Sequence, residues 1–373
     1  MILTLLTREL RSALKRLKPI GQKTAKGEPV SVRIQADASL GQRISLTVTD
    51  PASSISMTVY LRASKAGNQD FSTADVHLGK LDQIVGLVQQ DYLDIDIDGA
   101  EQIDVLAGGS EWQLSKRDDA VIPILQGLEP SSLDHIVFAD SMDFEGLLSS
   151  VEHAVCVESA RIALCGIEVS YAKKQAVAAS TDGRRLAVGT CEASGTAKVR
   201  SALIPRNVLP FLHPRFEGAQ LALYVRANEV VAYWSIDGQS MAELVFVQLN
   251  GKFPDYHAVM PKESKIGAPY VHDLSALSHA IRQVEFMVDH ETSRMTVDYR
   301  QTGLHLSAQS QSGKCQVVIP CDVAVESKSN FNPKYLLDAL KAIKTQEVTA
   351  FLTDSGQMIL KSDNLTQLLM PLG

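Results

Sequence analysis

Three kinds of element recur in one order along the chain, about 130 residues apart, and this recurrence restricts the architecture more than any single motif. Amphipathic segments begin at Val76 (VHLGKLDQIVGLV), Ile204 (IPRNVLPFL) and Phe331 (FNPKYLLDAL), 128 and 127 residues apart. Alternating strand-like runs end at Asp50 (SLTVTD), Asp182 (VAASTD) and Gln309 (LHLSAQ), with spacings of 132 and 127 residues. A helix heads each unit in TRELRSALKRL, SMDFEGLLSSVEHAV and DLSALSHAIRQV, where Leu10 and Leu14, Leu147 and Val151, and Leu277 and Ile281 form the i, i+4 apolar pairs of helices lying on a core. Between the helices, runs such as RISLTVTD, YLDIDIDG, QIDVLAG and QLALYVRANEVVAYWSIDG alternate with period two and break at Asn, Asp or Gly, the pattern of antiparallel hairpins. The chain is therefore expected to be α+β, with three similar domains of two helices each on antiparallel sheets. The turn formers at 130–134 and 255–261 set their boundaries, giving domains 1–133, 134–255 and 256–373.

A chain of 373 residues exceeds one ordinary core, which agrees with several domains. The first segment opens apolar, but Arg8, Glu9 and Arg11 cut it far short of a membrane span, and it has no signal-peptide cleavage pattern. Five cysteines, Cys156, Cys165, Cys191, Cys315 and Cys321, show no C-x-x-C spacing, so a reducing cytoplasm is expected, without disulfides or a zinc site. The net charge of −7 argues against bulk coating of nucleic acid. Yet residues 8–18 hold Arg8, Arg11, Lys15, Arg16 and Lys18 against the single acid Glu9, a basic face on an acidic protein.

Catalytic patterns fail one after another. Asp94, Asp96, Asp98 and Gly99 begin like a calcium loop, but Val105 stands where a bidentate Glu is required. Neither phosphate-cradling glycine motif occurs, the nine histidines are scattered, and no Ser lies in G-x-S-x-G. No enzymatic activity, metal or cofactor is expected.

The run AASTDGRRLAV from Ala178 to Val188 joins a tight Asp182-Gly183 turn to Arg184 and Arg185, by itself the description of a solvated hairpin edge. With NGKFPDYHAVMP (Asn250 to Pro261), FNPKYLLDAL and the terminal LLMPLG, it closely resembles the bacterial sliding clamp family, the beta subunits of DNA polymerase III. The resemblance spans nearly the whole chain, is strongest over 161–261 and 331–373, and is weak in the first third. It implies three clamp domains per chain and a head-to-tail homodimer closed into a ring around duplex DNA, with helices inside and sheets outside. It also implies a non-catalytic processivity factor that tethers the polymerase III catalytic subunit, other polymerases and repair proteins, and is placed on DNA by a clamp loader.

By the same resemblance a pocket for a short apolar partner peptide would be formed by Leu164, Thr181, Gly183, Arg185, Leu186, Pro254 and Val259, closed by Asn332, Tyr335 and the tail Leu368, Leu369, Met370, Pro371 and Leu372. Leu186→Asp is then expected to abolish peptide binding while leaving the ring intact. Sequence-independent contact with duplex phosphates is assigned to Arg8, Arg11, Lys15, Arg16, Lys26, Lys80, Arg206, Lys334, Lys341 and Lys344; Lys26 and Arg206 match family positions, and the others follow from helix placement. The chain departs from the family pattern at Ala258, at the Leu372-Gly373 ending, and at Glu158, Ile162 and Ala163 beside the channel. A clamp-like interaction module that does not encircle DNA is the alternative.

Overall fold

The computed structural model describes residues 1–21, 30–37, 42–50, 52–66, 71–117, 135–157, 160–196, 201–212, 216, 218–226, 228–261, 266–289 and 291–372. The fold is α+β with antiparallel strand pairing, and its contacts divide the chain into two compact units. The first comprises 1–142 and 207–248, the second 143–206 and 249–373.

In the first unit a five-stranded sheet runs in the order Ser64–Ala66, Ile2–Leu6, Tyr92–Asp96, Gln102–Ala107, Ser110–Ser115. A longer sheet runs His135–Phe138, Gln220–Val225, Glu229–Ile236, Gln239–Val247, Ile55–Arg62, Arg43–Asp50, Ser31–Asp37, Phe71–His77. Its middle joins chain segments nearly two hundred residues apart, with Ala242 opposite Val59 and Leu244 opposite Met57. The hairpin turn at Asp237 and Gly238 has φ of 49° and 75°, the left-handed pair that lets two twisted strands reverse tightly. Helix α1 (Thr7–Gly21) buries Leu10, Ala13, Leu14, Leu17 and Ile20, a stripe with helical spacing, and packs against α2 (Leu78–Leu87). His77 starts α2 by accepting the Gly79 and Lys80 amides on Nδ1.

In the second unit an eight-stranded sheet runs Ala202–Pro205, Gly166–Ala172, Gln175–Thr181, Arg185–Glu192, Leu365–Leu369, Met358–Ser362, Glu347–Thr353, Ile266–Asp273. A four-stranded sheet runs Gly313–Ile319, Gly303–Ser310, Met295–Arg300, Ser327–Phe331. Helix α3 (Ser141–Val151) buries Phe144, Leu147, Leu148 and Val151. Helix α4 (Leu274–Glu285) starts at Asp273, whose carboxylate accepts the Ala276 amide, and packs on the four-stranded sheet. Helix α5 (Pro333–Lys341) has Asn332 as its cap and Pro333 at its first position, where the missing N–H costs nothing.

The expected helix at Ile204 does not form. Ala202–Pro205 is a strand, and only a 3-10 turn, Leu209–Phe211, follows. Pro210 would sit inside the expected helix, where it removes a backbone donor and clashes with the preceding turn. The apolar side chains Val208, Leu209, Phe211 and Leu212 are buried all the same, so the segment keeps its packing role without the helix.

Candidate functional site

The turn at Asp182 is built by local hydrogen bonds. Oδ1 of Asp182 accepts the amides of Arg184 (2.9 Å) and Arg185 (3.0 Å). The Thr181 hydroxyl donates to the Arg185 carbonyl (2.6 Å) and accepts from the Gly183 amide (3.1 Å). Gly183 has φ of 87° with open space where a Cβ would stand, so glycine is required there by backbone conformation and not by crowding. Arg184 is exposed, and its carbonyl accepts the Met370 amide at 2.9 Å, which ties the tail to the turn.

The next two residues point to opposite faces of the sheet. Arg185 reaches α5: its Nε donates to Asp182 Oδ2 (2.9 Å), its Nη1 to Asp338 Oδ2 (2.7 Å), and its guanidinium lies 4.4 Å from the centre of the Tyr335 ring. Leu186 faces the other way and forms a buried cluster with Ile359 and Leu368. Strand alternation dictates this separation, because Leu186 pairs with Leu368 while Arg185 pairs with Leu369. The arginine and the leucine therefore do not share one wall, as adjacent positions in the sequence had suggested. Asn332 and Tyr335 belong to the Arg185 side, with Asn332 spent on capping α5.

On the Leu186 side, the half-buried Val188, Tyr256, Met260, Ile266 and Phe351 pack against the cluster. Val188 and Tyr256 also pack against a second cluster of Ala163, Ala179, Leu203 and Phe253. Around them Pro254 is exposed, Val259 is 56% exposed and Met370 41%. The result is an apolar surface with a buried floor and an uncovered rim. Leu164 is buried beside Ala163 in the 3-10 helix Ile162–Cys165, and Leu372 is held by its amide on the Asn330 carbonyl at 2.8 Å. Pro371 lies next to Gly356. Sequence reading missed Val188, Ile266, Phe351 and Ile359 as members of this surface. Only the period-two position of Val188 after Leu186 signalled any of them.

Behind Arg185, His153 and Gln367 form a polar pocket in the core. Gln367 donates to the Ala339 carbonyl (2.8 Å), and its side chain also lies within hydrogen-bonding reach of the His153 ring. Burial, reinforced by the charge of Arg185, pushes the His153 pKa down to about 4; burial alone does the same to His272, also to about 4. Both imidazoles are thus neutral in the fold but free to protonate near pH 6.5 once unfolded. Their contribution is complete above about pH 6.5 and is lost as pH falls toward 4, on the order of 3 kcal/mol for each. Urea midpoints measured across that window should fall with pH, and a flat profile would contradict the assignment.

The basic candidates divide into free and occupied groups. Arg8 and Lys15 on α1, Lys80 in the first turn of α2, and Lys334 and Lys341 on α5 are exposed. Arg11 is committed: its Nη2 donates to the carbonyls of Val85 and Val88, both at 2.9 Å, and so terminates α2. Arg16 lies 4.3 Å from the centre of the Phe216 ring, and burial lowers its pKa. Arg206 is exposed in the turn that replaces the expected helix. Lys344 is exposed past the end of α5, with Nζ 3.2 Å from where a Cβ on Gly146 of α3 would lie. Lys26 and Glu158 lie outside the described residues; Ile162 is exposed and Ala163 buried. Among the described residues no group of three or more His, Cys, Asp or Glu side chains could hold a metal ion.

Two family models match in tandem: the central domain of the DNA polymerase III beta subunit over residues 140–255, and the C-terminal domain of that subunit over 257–372. The chain belongs to the bacterial beta sliding clamp family. It is 25% identical over 362 residues to the beta sliding clamp of Synechococcus elongatus, covering 92% of this chain and 91% of that one. With the beta sliding clamp of Proteus mirabilis it shares 23% over 320 residues, 84% of this chain and 83% of the other. The fold superposes on a DNA polymerase sliding clamp from Pseudomonas aeruginosa, solved with a ligand, at a TM-score of 0.87 and 20% identity, covering 100% of both chains. As a beta sliding clamp the chain carries Leu186 and Val188 of its apolar surface in the first matched segment and Met260, Ile266, Phe351, Ile359 and Leu368 in the second, with Tyr256 between the two.

Proposed function

We propose that this clamp is a non-catalytic processivity factor: two copies join head to tail around duplex DNA and tether a polymerase through a peptide seated on the Leu186 face. Each copy would contribute three clamp domains, divided near residues 133 and 255. The observation that carries the reading is a pair of matching open edges. Strand Ser110–Ser115 ends the five-stranded sheet beside α2, where Leu87 is 70% exposed. Strand Gly313–Ile319 ends the four-stranded sheet beside α4, where Phe286 is 87% and Val318 46% exposed. Among the described residues each edge offers unpaired backbone groups flanked by apolar side chains, a template for another chain. Glu111 on one and Lys314 on the other supply opposite charges. A head-to-tail contact between unlike edges closes into a ring when its rotation permits.

Exposed Arg8, Lys15, Lys80, Arg206, Lys334 and Lys341 would face the duplex, attracting phosphates without reading bases, which allows sliding. Lys344, exposed past the end of α5, joins them, and Lys26 is added by its match to a family position. On the peptide side, exposed Val259 and Met370 would gain cover from an apolar partner side chain. Partners of this kind are the polymerase III catalytic subunit, a clamp loader, and other polymerases and repair proteins. A cytoplasmic location is supported by five cysteines that form no disulfide. No helix of the described residues is long and apolar enough to cross a membrane.

Retention on nicked circular DNA, lost when the circle is linearised, tests the topological tether; equal retention on both forms would contradict it. Phe286→Asp should give a monomer in analytical ultracentrifugation and abolish retention. If the native protein is itself strictly monomeric at micromolar concentration, the non-encircling module replaces the ring. Val259→Asp should weaken a partner peptide at least tenfold in a fluorescence titration, with an unchanged melting temperature because the side chain is already exposed.

A further inference from the structure

In the first unit the strand pairing sets Arg43 directly opposite Arg62. Like charges in register across an antiparallel pair repel, and among the described residues no ion pair to a carboxylate offsets either arginine. Arg43 is half-buried, donates to the Ser240 carbonyl, and lies 5.3 Å from the centre of the Tyr60 ring. The Tyr60 hydroxyl is itself engaged with Glu243 at 3.0 Å. A cavity of about 580 Å³ is lined by both arginines together with Gln42, Ser64, Tyr92 and Gln239. Among the described residues no carboxylate lines it. An adjoining cavity of about 400 Å³ shares Arg43, Arg62 and Gln239, and there Glu9 and Asp237 do contribute acids. Tyr92 is 60% exposed.

We propose that Arg43 and Arg62 grip the phosphate of a nucleotide, free or within a single strand, whose base stacks on Tyr92. The arginine pair supplies two planar forks that match phosphate oxygens, and an anion between them converts their repulsion into attraction. An uncovered aromatic ring is the usual platform for an unpaired base, and the side-chain amides of Gln42 and Gln239 can both donate to and accept from a base edge. The volume suits a ligand of this size. Neither arginine is among the basic residues assigned to the duplex, so the site adds to the clamp reading.

Isothermal titration calorimetry on the full chain tests it with four probes: inorganic phosphate, thymidine monophosphate, thymidine and single-stranded decathymidylate. Thymidine monophosphate should bind saturably, phosphate more weakly, and thymidine not measurably. Arg62→Ala should reduce nucleotide affinity at least tenfold, with a melting temperature unchanged or raised as the like-charge pair is relieved. Tyr92→Leu should weaken the nucleotide about tenfold and leave phosphate unaffected. An oligonucleotide that binds much more tightly than the monomer, with a salt dependence reduced by Arg62→Ala, identifies a strand as the ligand; equal affinity identifies a free nucleotide. The proposal is overturned if no probe binds up to millimolar concentration, if thymidine matches its monophosphate, or if Arg62→Ala leaves nucleotide affinity unchanged. All of these readouts are independent of ring closure and of peptide binding.

Discussion

Leu186→Asp is expected to destabilise the second unit by about 4 kcal/mol or more, well beyond the effect of a damaged binding surface. Leu186 is 4% exposed and packs on Ile359 and Leu368, at 0% and 2%, so the new carboxylate would be enclosed by hydrocarbon on a central strand of the eight-stranded sheet. Neither Ile359 nor Leu368 can donate a hydrogen bond to it, and of the side chains packed around them only Tyr256 carries a hydroxyl. Chemical denaturation should show the loss as a lower midpoint, and peptide binding would disappear along with the fold. A variant with native stability and no peptide affinity would mean that Leu186 is uncovered in solution. The rim residue Val259 is for that reason the better probe of peptide docking.

The second large effect is expected from Arg185→Ala. Its guanidinium, with the side chain 13% exposed, bridges Asp182 and Asp338 and stacks on Tyr335. Removing it leaves two carboxylates close together without their shared cation and strips the cover from the ring. Losses of this kind run to about 3 kcal/mol. Arg185→Lys should recover only part of the stability, since a single ammonium cannot reproduce two divergent hydrogen bonds and a planar stack. Equal midpoints for the native protein and Arg185→Ala in a urea titration would show that the network is energetically idle.

Elements governed by local chemistry were legible in the sequence. The i, i+4 apolar pairs announced α1, α3 and α4, the amphipathic run FNPKYLLDAL announced α5, and the alternating runs became paired strands. The α+β class followed from these segments, whereas the likeness to the clamp family was carried by AASTDGRRLAV, NGKFPDYHAVMP, FNPKYLLDAL and LLMPLG. The failure at Ile204 came from reading apolar spacing without giving Pro210 enough weight. At the site, Gly183 and the Asp182 turn were visible because their hydrogen bonds span four residues. The partition of Arg185 from Leu186 was implicit in strand alternation, but only the pairing with Leu368 and Leu369 fixed which face met which partner. Likewise Arg11 looked like one more cation on a basic helix, and its engagement with Val85 and Val88 depends on where α2 ends. Contacts between residues far apart in sequence leave no periodic trace, so Asp338 and Ile359 could not be foreseen.

The position of strand Leu365–Leu369 also bears on how the second unit is assembled. It lies between Arg185–Glu192 and Met358–Ser362, so two halves of one sheet meet only through it. Until those residues leave the ribosome, the Arg185–Glu192 strand has an open, apolar flank and nothing to complete it. Closing a loop of such length is slow relative to forming local hairpins, and an uncovered strand edge during that interval invites pairing with the wrong chain. Synthesis of this protein therefore passes through a vulnerable stage at which shielding by a chaperone, and a modest translation rate, would raise the yield of correctly folded molecules.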